Sequence, residues 1–175
     1  QICASIDGTG AIGEYIRTGL KYNQFVDNFK LGTEIATNRR QMRLDFTLTL
    51  PGLFEVARIQ KLANELDVDI LAKVIFTFTP DIIMSPLALP RKILDPMIDK
   101  LINDTSLSRS LVDVLTQLKT RPTMEEQWPN EYRQGMQKGK SRVHTLEQIR
   151  NDSFTMKDIL SNDKDVLGWW NSIDA

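Results

Sequence analysis

Three segments of the chain hold residues whose types and spacing could do chemistry. Ser5-Ile6-Asp7 closes one apolar run, Thr47 to Pro51 closes a second, and Lys73 to Thr79 closes a third. Hydroxyls, a carboxylate and an ammonium at the ends of neighbouring strands would form a polar ligand site. Directly after Asp7 comes Gly8-Thr9-Gly10-Ala11-Ile12-Gly13. This is a literal match to the G-x-G-x-x-G pattern, in which glycines let a pyrophosphate approach backbone N–H groups at a helix start. Two features oppose that use. The Asp7 carboxylate would face the pyrophosphate. The second run ends in Leu50-Pro51-Gly52 and not in an acidic residue for a ribose, while Asp27, at roughly the right offset, falls inside a helical pattern. The plain alternative is a flexible turn whose glycines supply positive φ.

The elements that position these residues follow from periodicity. Strands are predicted over Ile2–Asp7, Arg43–Leu50 and Asp69–Phe78, each rich in β-branched or aromatic residues and ended by a breaker. Helices are predicted between them, over Tyr22–Ala36 and Leu53–Leu66; the second has Val56, Ile59, Leu62, Ala63 and Leu66 on one face. The order β-α-β-α-β argues for parallel strands with right-handed crossovers. Beyond about residue 80 helices dominate: Arg91–Ile102, Ser108–Lys119, Met124–Gly139, a short turn at Met156–Leu160 with Ser153 or Thr155 as its cap, and Asp163–Asn171. Residues 1–89 thus read as a sheet unit, and residues 90–175 as a helical extension packed on it.

Side chains alternate along a strand. Ile2, Ala4 and Ile6 oppose Cys3, Ser5 and Asp7. Leu44, Phe46, Leu48 and Leu50 oppose Asp45, Thr47 and Thr49. Ala72, Val74, Phe76 and Phe78 oppose Lys73, Ile75 and Thr77. A parallel sheet clad by helices on both sides should be apolar on both faces. One polar face points instead to a partial, half TIM-type (β/α) barrel whose inner face lines a cavity, with its site at the C-terminal strand ends. The alternative is a merely solvated face.

Composition narrows the function. The 175 residues carry 22 Lys+Arg against 23 Asp+Glu, one His and one Cys. A net charge of −1 gives no electrostatic footprint for nucleic acid. One cysteine excludes an internal disulfide and any cysteine-built metal site within the chain. No apolar run approaches the roughly 20 residues of a membrane span, which leads to the expectation of a cytoplasmic protein. Gln1 is not a start residue, so the chain reads as part of something longer. Among single residues, Cys3 is expected to be small and buried, and His144 to lie at the surface. Trp169 and Trp170 should pack the tail onto the body. Lys138, Lys140 and Arg142 should form a solvated face.

Ser5-Ile6-Asp7-Gly8, followed by Gly13-Glu-Tyr-Ile-Arg17-Thr-Gly19, resembles the fourth-strand region of radical S-adenosylmethionine (SAM) enzymes. Phe46-Thr-Leu-Thr-Leu-Pro-Gly, Phe78-Thr-Pro-Asp-Ile-Ile-Met-Ser-Pro, Arg121-Pro-Thr-Met-Glu-Glu-Gln-Trp-Pro and Trp169-Trp170 are similar to the twitch domain-containing group of that family. The resemblance implies that this chain supplies the fourth to sixth strands of a (β/α)6 partial barrel and its extension. It implies reductive cleavage of SAM by a [4Fe–4S] cluster, with hydrogen abstraction from substrate by the 5′-deoxyadenosyl radical. Ser5 would meet the SAM carboxylate or ribose, Arg17 would pair with the carboxylate, and Asp7 would make a further polar contact. Thr49 and Thr77 would lie along the cofactor, the latter near the adenine, while Thr47 and Lys73 would face the substrate cavity. The family's C-x3-C-x2-C cluster motif and its Gly-Gly-Glu segment are absent from this sequence. Alone, the chain is therefore expected to bind no cluster and to need the N-terminal half of the same protein as its partner. A cofactor-free α/β interaction module and a dinucleotide-binding domain are the alternatives.

Overall fold

The alternation of the second run is what the chain folds around. In the computed structural model, which describes residues 2–75 and 77–174 and all their side chains except that of Arg39, it becomes strand β2, Met42–Leu48. Its apolar residues Met42, Leu44, Phe46 and Leu48 are buried, and Arg43, Asp45 and Thr47 between them are half-buried. Strands β1 (Ile2–Ile6) and β3 (Asp69–Val74) flank it. Among the described residues the three form one parallel sheet in the order β1-β2-β3. Ser5 lies opposite Asp45, and Thr47 opposite Lys73.

Helices α1 (Gly10–Ile16) and α2 (Tyr22–Ile35) connect β1 to β2, and α3 (Val56–Glu65) connects β2 to β3. The predicted face of α3 is the buried one: Val56, Ile59, Leu62, Ala63 and, just past its end, Leu66. A turn of 3-10 helix over Pro51–Glu55 precedes it, because Pro51-Gly52 bends the chain directly after β2. The extension adds α4 (Arg91–Ile102), α5 (Arg109–Thr120), α6 (Met124–Gln127), α7 (Tyr132–Arg150), α8 (Met156–Leu160) and α9 (Lys164–Ser172). A single hydrophobic cluster runs from Ile6 in β1 through Leu115 and Val143 to Trp170 and Ile173. The mixed α/β class is as expected.

The two sheet edges differ. At the β3 edge, the Ala72 N–H donates to Ser110 Oγ of α5 at 2.9 Å, so a helix side chain takes up a strand donor. At the β1 edge no strand pairs among the described residues. Ile2 there is 61 % exposed, and Leu31 and Ile35 of α2 are exposed as well.

Several expectations change. Strand β3 ends at Val74, not Phe78. Its last ladder bond runs from Ile75 N to Leu48 O. Beyond Leu48 the β2 chain bends away, and Leu50 N donates to Met84 O at 2.6 Å, which leaves a longer β3 without a partner. Phe78 is exposed rather than in the core, and Phe76 lies outside the described residues. Cys3 is exposed, because it sits on the polar face at the edge where no strand pairs among the described residues. Met124–Gly139 is two helices, since Pro129 offers no N–H and Trp128 before it leaves the helical region (φ −131°, ψ 62°). The second continues to Arg150 and closes on Asn151 in the left-handed conformation.

The basic cluster is a solvated face only in part: Lys138 and Arg142 are exposed, as expected, whereas Lys140 is not. Lys138 and Arg142 both reach the Asp81 carboxylate, at 3.4 and 2.7 Å. Lys140 is buried, donates to Trp170 O at 2.9 Å, pairs with Asp174 and lies 5.0 Å from the Trp170 ring centroid. Trp169 and Trp170 are buried as expected, and Trp169 Nε1 donates to Tyr132 Oη, which itself donates to Ala88 O. His144 is exposed on α7, its ring in a T-shaped arrangement with that of Trp170.

Candidate functional site

The site grows from the two residues that follow β1 and α1. Asp7 comes directly after Ile6, where the strand ladder stops. Arg17 is the C-cap of α1, its N–H bonded to Gly13 O at 3.0 Å. Helix α1 turns the chain back, so that Arg17 Nε meets Asp7 Oδ2 at 2.5 Å. Asp7 is only 8 % exposed. Its second oxygen, Oδ1, is buried and has no hydrogen-bond partner among the described residues. Arg17 keeps 40 % of its side chain exposed, and its Nη atoms have no hydrogen-bond partner among the described residues. The pair thus offers an open guanidinium fork beside a carboxylate oxygen that lacks a donor. A ligand carboxylate suits the fork, and a hydroxyl or ammonium suits the oxygen.

Behind the pair stands the end of β2. Thr49 is buried, and its Oγ1 accepts from Gly52 N at 3.0 Å. A Cβ at Gly52 would lie 3.0 Å from that oxygen and 3.3 Å from the Asp7 carbonyl. A side chain at position 52 would therefore crowd the β2 turn where it closes against the β1 end.

The glycine loop is a helix start and not a flexible turn. Gly10 takes φ +48°, where glycine is unstrained, and α1 begins there. A Cβ at Gly13 would stand 2.3 Å from Gly8 O, so the loop closes backbone on backbone. Beneath it lies Glu55, fully buried. Its Oε2 accepts from Thr9 N at 2.6 Å and from Thr9 Oγ1 at 2.5 Å, and its Oε1 accepts from Arg58 Nη1 at 2.9 Å. Sequence reading passed over Glu55. The signal was a carboxylate four residues before Ile59 on the apolar stripe of the predicted helix, where charges rarely sit without a partner.

The other sequence-predicted residues are spread along the polar face. Ser5 is exposed on β1, opposite Asp45. Asp45 is held by Arg43 Nε at 2.7 Å, whose Nη2 also lies 3.3 Å from Cys3 Sγ. Thr47 and the exposed Lys73 sit side by side across β2 and β3. Thr77 is half-buried in the loop, three residues past the end of β3. The structure therefore brings together Asp7, Arg17 and Thr49, sets Thr47 beside Lys73, and leaves Ser5 and Thr77 apart.

Tyr15, two residues before Arg17, is buried between α1 and α7. Its hydroxyl donates to Glu147 Oε1 at 2.7 Å, and its ring meets Phe154 edge-on. Burial, reinforced by Glu147, pushes the phenol above its ordinary range, so it remains a proton donor. A groove of about 840 Å³ opens elsewhere, between α4, α7 and α9, around Tyr132, Met136 and Trp169; it contains none of the residues above.

Among the described residues no group of His, Cys, Asp and Glu is arranged to hold a metal ion. No described helix is long and apolar enough to cross a membrane. Comparison with protein-family models, curated proteins and solved structures finds no match to this chain.

Proposed function

We propose that the chain is the C-terminal part of a radical SAM enzyme core, and that its polar sheet face forms one wall of a partial (β/α) barrel enclosing SAM and substrate. The observation that carries the reading is the Asp7–Arg17 pair at the C-terminal strand ends, where the outer guanidinium nitrogens and a buried carboxylate oxygen have no hydrogen-bond partner among the described residues. Arg17 would bind the SAM carboxylate, Asp7 Oδ1 would accept from an amino or ribose group, and Thr49 would keep the Gly52 turn closed behind them. On the polar face Ser5 would lie along SAM, and Thr47 and Lys73 would meet substrate. The uncovered β1 edge supports the same reading, since further parallel strands would attach there.

The [4Fe–4S] cluster does not fit the residues of this chain. Cys3 is its one cysteine, and Cys3 lies exposed beside Arg43. Any cluster ligands belong to another segment or chain. When bound, SAM with its cluster supplies hydrogen-atom abstraction. The residues here contribute binding and orientation.

A dinucleotide at the glycine loop is disfavoured by Glu55. Its carboxylate already takes the Thr9 N–H, so a pyrophosphate there would meet an anion. Titration with NAD or FAD is expected to show no saturable binding. An interaction module without cofactor would use the same bare edge and polar face.

The deciding experiment begins with the coding sequence upstream of Gln1. A C-x3-C-x2-C motif there, and SAM cleavage by the complete protein under reducing anaerobic conditions, are the expected results. The present chain alone should bind SAM weakly or not at all. A start codon directly before Gln1, or micromolar SAM affinity of this chain by calorimetry, would overturn the reading.

A further inference from the structure

The geometry points to Arg150, at the far end of the helical extension, as a positioning residue for Arg17. This inference rests on the reading of Arg17 as the group that binds a ligand carboxylate. The segment carrying Arg17 is short and follows the end of a seven-residue helix, so α1 alone holds it weakly. Arg150 is the last residue of α7, more than 130 positions later in the chain. Its Nη1 donates both to Tyr15 O and to Thr18 Oγ1, each at 3.0 Å. These two acceptors bracket Ile16 and Arg17. The Arg150 guanidinium also lies 5.0 Å from the Tyr15 ring centroid, and its Nη2 pairs with Asp152 at 2.6 Å. Glu147, one turn earlier on α7, accepts from the Tyr15 hydroxyl and from Met156 N at 2.6 Å. One face of α7 thus fixes the backbone on both sides of Arg17, while the Arg17 side chain, among the described residues, hydrogen-bonds only to Asp7. A planar fork with a fixed set of donors suits this role, and a lysine would not reproduce it. The extension would then control how firmly the site grips the carboxylate end of its ligand, without touching that ligand.

The test uses the complete protein and two probes: SAM, which carries a carboxylate, and 5′-methylthioadenosine, which lacks one. Arg150→Ala is expected to weaken SAM binding about tenfold, the scale of one charge-assisted contact, and to leave 5′-methylthioadenosine affinity unchanged. In combination with Arg17→Ala it should add no further loss. Thr18→Val, which removes one of the two bracketing contacts, should show the same selectivity more weakly, and serves where Arg150→Ala does not fold. Equal weakening of both probes, no weakening of SAM, or additivity with Arg17→Ala would overturn the inference. The underlying reading fails separately, if Arg17→Ala alone leaves SAM affinity unchanged.

Discussion

The Glu55 carboxylate receives both the backbone N–H and the hydroxyl of Thr9, 46 residues earlier in the chain, through the single oxygen Oε2. Its other oxygen receives Arg58. A fully buried carboxylate with three donors on two sides is hard to replace. In Glu55→Leu no acceptor remains, so the Thr9 N–H and hydroxyl lose their partner at a buried site. We expect a loss of about 2–4 kcal/mol in denaturant unfolding. Arg58→Ala should cost less than about 1 kcal/mol, since the Arg58 side chain is largely exposed. Equal losses from the two variants would contradict this account.

Two helix glycines should respond in opposite directions. A Cβ at Gly135 of α7 would sit 2.4 Å from Pro80 O, a backbone atom that cannot yield cheaply. Gly135→Ala should destabilise the chain by about 1–3 kcal/mol as an overpacked contact. Gly168 of α9 has nothing within 4 Å of a built Cβ. Gly168→Ala should stabilise by about 0.5–1 kcal/mol, the helix preference for alanine. Thermal unfolding of the two variants beside the parent checks both signs.

Glu126 couples stability to pH. The Arg91 guanidinium beside it, helped by the Thr123 backbone N–H, lowers its carboxyl to about 2 from an ordinary 4.5. A depressed folded-state value means that the contribution is fully present above pH 4.5 and is lost as pH falls toward about 2. The pair is partly open to solvent, at 2.6 Å with Glu126 43 % exposed, so the effect is small. Glu126→Gln should lower stability at pH 6 and approach the parent only as pH falls to about 2. Urea unfolding across that range measures it. A gap that does not narrow on acidification would remove the Arg91 pair as its cause.

The strand pattern, the apolar stripe of α3 and α4's full span over Arg91–Ile102 were legible in the sequence, because each follows from a local period. The end of β3 was not, since it depends on where β2 turns away and on Leu50 bonding to Met84. The fate of the lysines was hidden for a similar reason. Lys138, Lys140 and Arg142 are neighbours in sequence, yet Asp81 and Trp170, which receive them, lie far along the chain in either direction. At the candidate site, Asp7 was legible as a strand-end carboxylate and Arg17 through resemblance to a family. Their direct pairing needed the fold of α1. Glu55, Ser110 and Arg150 were illegible as partners, because long-range hydrogen bonds leave no local signature.

The unequal edges of the sheet carry a practical consequence. Ser110 shields one margin, whereas the β1 margin presents a strand with Ile2 exposed, and Leu31 and Ile35 of α2 are exposed as well. A sheet open on one side is a template for self-association. Produced by itself, this polypeptide would be prone to misassembly through that margin, and its solubility would improve most from a charged residue at Ile2 rather than from any change in the helical extension.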